Sequence, residues 1–218
     1  ARETVKFAAP VIVDIMTCSA TGTGSLSTSR RARSNRTARS VPDEKYHDSL
    51  VTLLRRYNGI GITSITERNS SVGGYRTYEK LRAEGRLPLR VTVTIGLTTD
   101  GSVEGTEKAI RAIPFKTGDG DDWVKVGPLK VGVDGGALYG TAYMREPYGP
   151  AAFSLYGITD PAYRGDLRIA PEKMKNIVRT VHRLGGQMSS HVTGDAGVDV
   201  VLDAVEASDA DSPVAPRR

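Results

Sequence analysis

Hydrophobic residues recur at helical spacing along several segments of the chain. In the first of these segments, Leu50, Leu53, Leu54 and Tyr57 fall on one stripe, which is the pattern of an amphipathic α-helix. An Asn-Gly pair at residues 58–59 suits the end of this helix. The same spacing predicts further helices over residues 73–87, 101–113, 170–186 and 196–208.

Four apolar or β-branched runs lie between the predicted helices. They predict strands over residues 62–66, 89–97, 124–133 and 187–192. Strands that alternate with helices pair in parallel, because each return to the same end of the sheet needs a crossover. The predicted fold class is therefore α/β, either a small open sheet or part of a (β/α)8 TIM barrel. In both folds ligands bind beyond the carboxyl ends of the strands, which directs attention to the residues there.

The first 40 residues lack this periodicity. They are rich in Ser, Thr, Gly and Arg, and such a segment buries too little apolar surface to offset its ordering entropy. We therefore expect a poorly ordered segment over residues 1–40 and one folded domain over residues 41–218. Five arginines lie between Ser29 and Arg39 and form a candidate nucleic-acid site. Because no aromatic residue lies among them to stack on bases, we expect no nucleic-acid partner.

Composition narrows the class of protein further. The single cysteine, Cys18, excludes an intrachain disulfide and a cysteine-rich zinc site. No run of 18 apolar residues is present, so the sequence predicts no membrane span. The apolar stretch near the amino terminus is short and contains Asp14, unlike the core of a secretory signal. We expect a soluble, cytoplasmic protein.

Lys130 is the first candidate for chemistry, because it lies within the apolar stretch VGPLKVGVDGG. A charged amine is costly in such surroundings, which favours the neutral form. A neutral amine can act as a base, form a Schiff base, or combine with carbon dioxide to give a carbamate able to bridge two divalent metals. The structural alternatives are that the side chain reaches solvent at the strand end or pairs with Asp134.

His191 is the second candidate, because it ends the last predicted strand. A neutral imidazole is a common metal ligand in proteins. Asp195 follows a glycine shortly after it, and its carboxylate could orient His191 or cap the next helix. The other two histidines, His47 and His182, lie within predicted helices with no motif around them, so we assign them structural roles.

Two stretches carry a resemblance to a known family. They are GPLKVGVDGGALYGTAYMREPY at residues 127–148 and GGQMSSHVTGDAGVDVVLDAVE at residues 185–206. Together they resemble consecutive strands of the amidohydrolase superfamily, and in particular amidohydrolase family 3, which includes N-substituted formamide deformylases. The matching positions are Lys130, Asp134, Gly135, Gly136, Thr141, Ala142, Pro147 and Tyr148 in the first stretch and His191, Gly194, Asp195 and Gly197 in the second.

The resemblance implies strands two to five of a (β/α)8 barrel and hydrolysis of an amide-type C–N bond by a metal-activated water. Lys130 would then be a carboxylated lysine that binds metal, and His191 would be a metal ligand from the fifth strand. With Asp195, these residues are the expected catalytic set. The implied cofactor is a divalent metal, zinc by our interpretation, and the implied substrate is a small amide-like molecule.

The sequence also departs from the family pattern. The family's first strand ends in a His-x-His pair, and no such pair occurs in this chain. The family's later histidine and aspartate, after strands six and eight, also have no counterpart before the chain ends at PVAPRR. We therefore expect the chain alone to be inactive, and its open strand edges to favour a homo-oligomer. The alternative is a non-catalytic degenerate homologue or a small-molecule-binding module.

Overall fold

The computed structural model describes residues 12–15 and 43–211. The strands are β1 (Ile12–Ile15), β2 (Ser64–Ser70), β3 (Arg90–Gly96), β4 (Val124–Gly132) and β5 (Met188–Val192). The helices are α1 (Asp43–Gly59), α2 (Val72–Ala83), α3 (Val103–Arg111), α4 (Ala151–Tyr156), α5 (Pro171–Arg183) and α6 (Asp195–Asp211), with a short 3₁₀ helix at Ala137–Tyr139. From β2 onwards strands and helices alternate, as the hydrophobic pattern predicts.

All strands of the described residues pair in parallel, in the order β1-β5-β4-β3-β2. The strands β2 to β5 therefore lie side by side in chain order and form the predicted partial (β/α)8 barrel. All four predicted strands are present, and the described residues include one more, β1, which pairs with β5. No strand was predicted there, since the residues of Ile12–Ile15 do not alternate strictly between apolar and polar.

The hydrophobic core lies between one face of the sheet and the helices. In β3 the alternate residues Val91, Val93 and Ile95 are almost fully buried, as expected where successive side chains point to opposite faces. Leu81 of α2 and Met174 of α5 belong to the same cluster and are equally buried. Burial of these faces supplies the main driving force for folding.

The ends of the helices follow local rules that the sequence encodes. The hydroxyl oxygen of Ser71 accepts a hydrogen bond from the amide of Gly74 at the start of α2, at 3.1 Å. Ser102 caps α3 in the same way through the amide of Gly105, at 2.9 Å. After α5, Gly185 has a φ of 73°, a left-handed conformation that glycine adopts without strain.

The opposite face of the sheet is polar. Gly96 of β3 pairs with Lys130 of β4, which pairs with Ser189 of β5. Residues paired in register project from the same face, so these positions share the face of Thr94, two residues before Gly96. This polar face is the one that carries the candidate residues.

Among the described residues, no helix combines the length and apolar character needed to cross a bilayer.

Candidate functional site

Lys130 lies near the carboxyl end of β4 on the polar face. The residue is only 8% exposed. The neighbouring residues of the strand, Leu129 and Val131, project to the opposite face and belong to the hydrophobic core. The strand thus presents one lysine to the polar face between two residues anchored among the helices.

His191 lies on the adjacent strand, β5, and on the same face as Lys130. Its Cα pairs with Gly132, two residues beyond Lys130. Neighbouring strands lie about 4.8 Å apart and each residue advances about 3.3 Å, so the Cα atoms of Lys130 and His191 lie roughly 8 Å apart. His191 is half-buried, and its Nε2 lies 3.5 Å from the hydroxyl of Thr193, at the long limit of a hydrogen bond. The structure therefore brings the two predicted ligands together.

Asp195 is the first residue of α6 and is exposed. Its Oδ1 accepts a hydrogen bond from the amide of Arg145 at 2.8 Å and another from the amide of Ala196 at 2.8 Å. The second contact satisfies an amide in the first turn of the helix, and the first attaches the helix to the loop that follows β4. The catalytic role of Asp195 stays a prediction.

Asp134 is the residue whose importance sequence reasoning missed. It is fully buried, at 0% exposure, and its carboxylate accepts three backbone hydrogen bonds. The donors are the amides of Tyr143 at 3.0 Å, Thr193 at 2.9 Å and Gly194 at 2.7 Å. A signal was present, because an acid directly after an apolar strand and before two glycines is an unusual place for a charge.

The segment around Tyr143 is fastened to the turn after β5 by further contacts. The carbonyl of Tyr143 accepts a hydrogen bond from the amide of Gly197 at 3.1 Å. A Cβ on Gly194 would lie only 1.9 Å from that same carbonyl oxygen. Only glycine therefore permits the close approach of these two backbones.

An exposed ion pair holds the same two segments together at the surface. Arg145 donates from Nε to Asp199 at 2.6 Å and from an Nη atom at 2.5 Å. This forked hydrogen bonding lowers the pKa of the Asp199 carboxyl and raises the pKa of the Arg145 guanidinium. The loop after β4 is thus attached to α6 at three points: Asp195, Gly197 and Asp199.

The rest of the connection between β4 and α5 contains a group of tyrosines. The rings of Tyr148 and Tyr156 meet edge to face, with centroids 6.1 Å apart, and the ring of Tyr163 lies 5.8 Å from that of Tyr148. The hydroxyl of Tyr163 donates to Asp166 at 3.2 Å. Burial, together with the negative charge of Asp166, raises the pKa of Tyr163 to about 12.

A polar cleft opens at the carboxyl ends of β2 and β3. Its volume is about 580 Å³. The residues that line it include Asn69, Ser70, Ser71, Thr77, Gly96 and Thr98. Because Gly96 pairs with Lys130, the cleft adjoins the face that carries Lys130 and His191, at the end of the sheet where α/β proteins bind ligands.

The described residues supply only some of the ligands that a divalent metal ion requires. The described residues contain no group of three or more His, Cys, Asp or Glu side chains able to hold an ion. A hydrolytic zinc site uses three protein ligands and one open position. Lys130 and His191 therefore fit part of such a site, and the remaining ligands are not supplied by the part of the chain that the structure describes.

Comparison with known protein families identifies the chain. A model of the amidohydrolase family matches residues 10–218. The chain belongs to the amidohydrolase family. This match begins upstream of the domain boundary that the sequence analysis set at residue 41, and that division of the chain stays a prediction. A comparison with curated protein sequences found no match.

Two solved structures have a fold similar to that of this chain. An uncharacterised metal-dependent hydrolase from Pyrococcus horikoshii OT3 is similar over 78% of this amidohydrolase chain, with a TM-score of 0.58 and 22% identity. A second uncharacterised metal-dependent hydrolase, from Pyrococcus furiosus, is similar over 79%, with a TM-score of 0.58 and 20% identity. This chain covers 32% and 33% of those two proteins, about a third of their length.

Proposed function

We propose that this amidohydrolase chain carries part of the active site of a metal-dependent hydrolase that cleaves an amide-type C–N bond. The observation that supports this proposal best is the placement of Lys130 and His191. They lie on adjacent parallel strands, on the polar face, within two residues of the same register. The likeness to metal-dependent hydrolases of the same fold is a second, weaker support.

Each residue has a distinct part in the proposal. A divalent cation, zinc by our proposal, supplies the Lewis acidity that activates water and polarises the substrate carbonyl. Lys130, after its amine has combined with carbon dioxide and lost a proton to give a carbamate, would hold that cation together with the imidazole of His191. Asp195 holds both of its hydrogen bonds on Oδ1, which leaves Oδ2 to face a substrate or to accept a proton. The amide-like substrate and the identity of the metal are also proposals.

Metal binding by the two ligands can be measured without activity. We expect Co²⁺, used as a spectroscopic substitute for zinc, to bind the wild-type chain, and expect Lys130→Ala and His191→Gln to weaken that binding. Lys125→Ala is the matched control, because Lys125 lies on the same strand but is exposed. Equal Co²⁺ affinity in all four proteins would contradict the proposed site.

Catalysis by the chain alone is a separate question. We propose that the 218-residue chain is inactive by itself, because two ligands do not complete a hydrolytic zinc site. The assay is hydrolysis of an N-substituted formamide in the presence of Zn²⁺ or Mn²⁺. Turnover that Lys130→Ala abolishes would refute the inactivity and at the same time strengthen the assignment of Lys130.

The absence of a three-ligand group from the described residues favours a second candidate function. In this alternative the chain binds a small molecule through the polar cleft at β2 and β3 without catalysis. Binding of an N-substituted formamide that is indifferent to both EDTA and Lys130→Ala would support the alternative. Binding that EDTA abolishes would support the metal-dependent hydrolase.

A further inference from the structure

The carboxylate of Asp134 connects three segments that are far apart in the sequence. It lies two residues after the end of β4, and it accepts hydrogen bonds from the amides of Tyr143 in the next loop and of Thr193 and Gly194 after β5. All three donors are backbone amides, so the carboxylate fixes the path of the main chain and not only the orientation of one side chain. A buried carboxylate with three such donors is held rigidly.

We infer that Asp134 is a positioning residue for His191. Thr193 and Gly194 come two and three residues after His191, and both amides are held by the one carboxylate. In addition, the carbonyl of His191 accepts a hydrogen bond from the amide of Val133 at 2.9 Å. The backbone from His191 to Gly194 is therefore held at three points by residues 133 and 134, just after the strand that carries Lys130.

This arrangement ties the direction of the imidazole to the strand of the lysine. A displacement of the turn after β5 would move His191 relative to Lys130, and Asp134 opposes that displacement. Gly197 allows the carboxylate to approach α6, because a Cβ there would lie 2.9 Å from Oδ2 of Asp134. The meaning of this positioning for catalysis rests on the proposed function, whereas the positioning itself does not.

The alternative is that Asp134 contributes only to stability. A purely structural role predicts a lower melting temperature in Asp134→Asn and an unchanged environment of His191 in the folded variant. A positioning role predicts a changed environment of the His191 ring. The asparagine keeps the shape of the side chain but replaces one acceptor oxygen by a donor, which opposes at least one of the three amides.

The test is carried out on the full chain, well below the melting temperature of each variant. The ring signals of the three histidines are recorded by ¹H–¹³C NMR, with His191 identified by its loss in His191→Gln, and Co²⁺ affinity is measured in parallel. We expect Asp134→Asn to shift the His191 signal and to weaken Co²⁺ binding about 10-fold or more. Asp160→Asn is the control, since Asp160 is exposed and accepts one local amide, that of Ala162.

Each outcome decides the inference. An unshifted His191 signal in folded Asp134→Asn overturns it. If the wild-type chain does not bind Co²⁺, the proposed function fails for this chain, and the His191 signal alone then decides: a shift in Asp134→Asn but not in Asp160→Asn supports the positioning role. If Asp134→Asn does not fold, hydrogen exchange of the wild type decides, because rapid exchange at Thr193 and Gly194 overturns the inference and protection equal to that of β5 supports it.

Discussion

Ser190 gives an unusual opportunity to stabilise the protein by removing a polar group. It lies in β5 at 0% exposure, and its hydroxyl has no hydrogen-bond partner. Its Cα pairs with Val131, so it faces the helices and not the site. Burying a hydroxyl without a partner costs about 1–3 kcal/mol, and the space vacated by one oxygen costs only a few tenths of a kcal/mol. We expect Ser190→Ala to raise the free energy of unfolding by about 1 kcal/mol.

The expected gain corresponds to a rise in melting temperature of about 2–4 °C for a domain of this size. Thermal and urea unfolding followed by circular dichroism would measure it. Thr180→Val is the matched control, because Thr180 is also buried, at 1% exposure, but its hydroxyl donates to the carbonyl of Asn176 at 2.7 Å. Removing that bonded hydroxyl should lower stability by about 0.5–1.5 kcal/mol.

Opposite signs in the two variants are therefore the result that supports this reasoning. If Ser190→Ala lowers the free energy of unfolding as Thr180→Val does, the hydroxyl of Ser190 has a hydrogen-bond partner in solution. The argument that this hydroxyl destabilises the folded protein is then wrong. The comparison is informative because both substitutions remove one hydroxyl oxygen from the helix-facing core.

Two further predictions concern the turn after β5 and the connection after β4. Gly194→Ala should destabilise the protein by about 3 kcal/mol or more, because its Cβ would lie 1.9 Å from the carbonyl oxygen of Tyr143. Gly59→Ala, with no atom within 4 Å of the added Cβ, should change urea stability little, and an equal loss in both variants would refute the steric argument. Tyr163, whose pKa of about 12 lies above the ordinary 10.0, should ionise late in an ultraviolet absorbance titration. Because folding raises this pKa, the contribution of Tyr163 to stability is complete below pH 10 and is lost as the pH rises towards 12. Asp166→Asn should lower the pKa of Tyr163, and an unchanged pKa would contradict a contribution from the charge of Asp166.

The alternation of strands and helices was readable because the core positions repeat regularly. In α5, Met174, Ile177, Val178 and Val181 are buried on one face, which the spacing alone indicates. The strands β3, β4 and β5 begin and end within one residue of the predicted bounds. Hydrophobic periodicity thus contains most of the information about this partial barrel.

Elements without periodicity were not predictable. The strand β2 continues to Ser70, beyond the predicted end at residue 66, through the polar residues Glu67 to Asn69. A strand at this position is only half-buried, so its outer residues need no apolar pattern. The helix α4 has six residues and no buried stripe, and Gly157 ends it with a φ of 70°. Such short elements depend on tertiary contacts rather than on local sequence.

The candidate site divides in the same way. The sequence placed Lys130 and His191 near the carboxyl ends of two strands, whereas their shared face follows from the register of β4 with β5 in the structure. The hydrogen bonds of Asp134 to Thr193 and Gly194 join residues 59 and 60 positions apart, and they depend on how two loops fold against each other. No periodic signal reports that geometry, so the roles of Asp134 and of the segment around Tyr143 emerged only from the structure.

The uninterrupted register between β4 and β5 determines where the chain can tolerate insertions and deletions. The pairs β2–β3 and β3–β4 each contain a register shift, whereas β4 and β5 pair from Leu129 to Gly132 without one. A single-residue deletion within either of these two strands would turn one candidate ligand towards the helices while the other kept its direction. In a library of insertions and deletions, functional variants should therefore accumulate changes in the mostly exposed segment over residues 149–162 and none between Lys130 and Asp134.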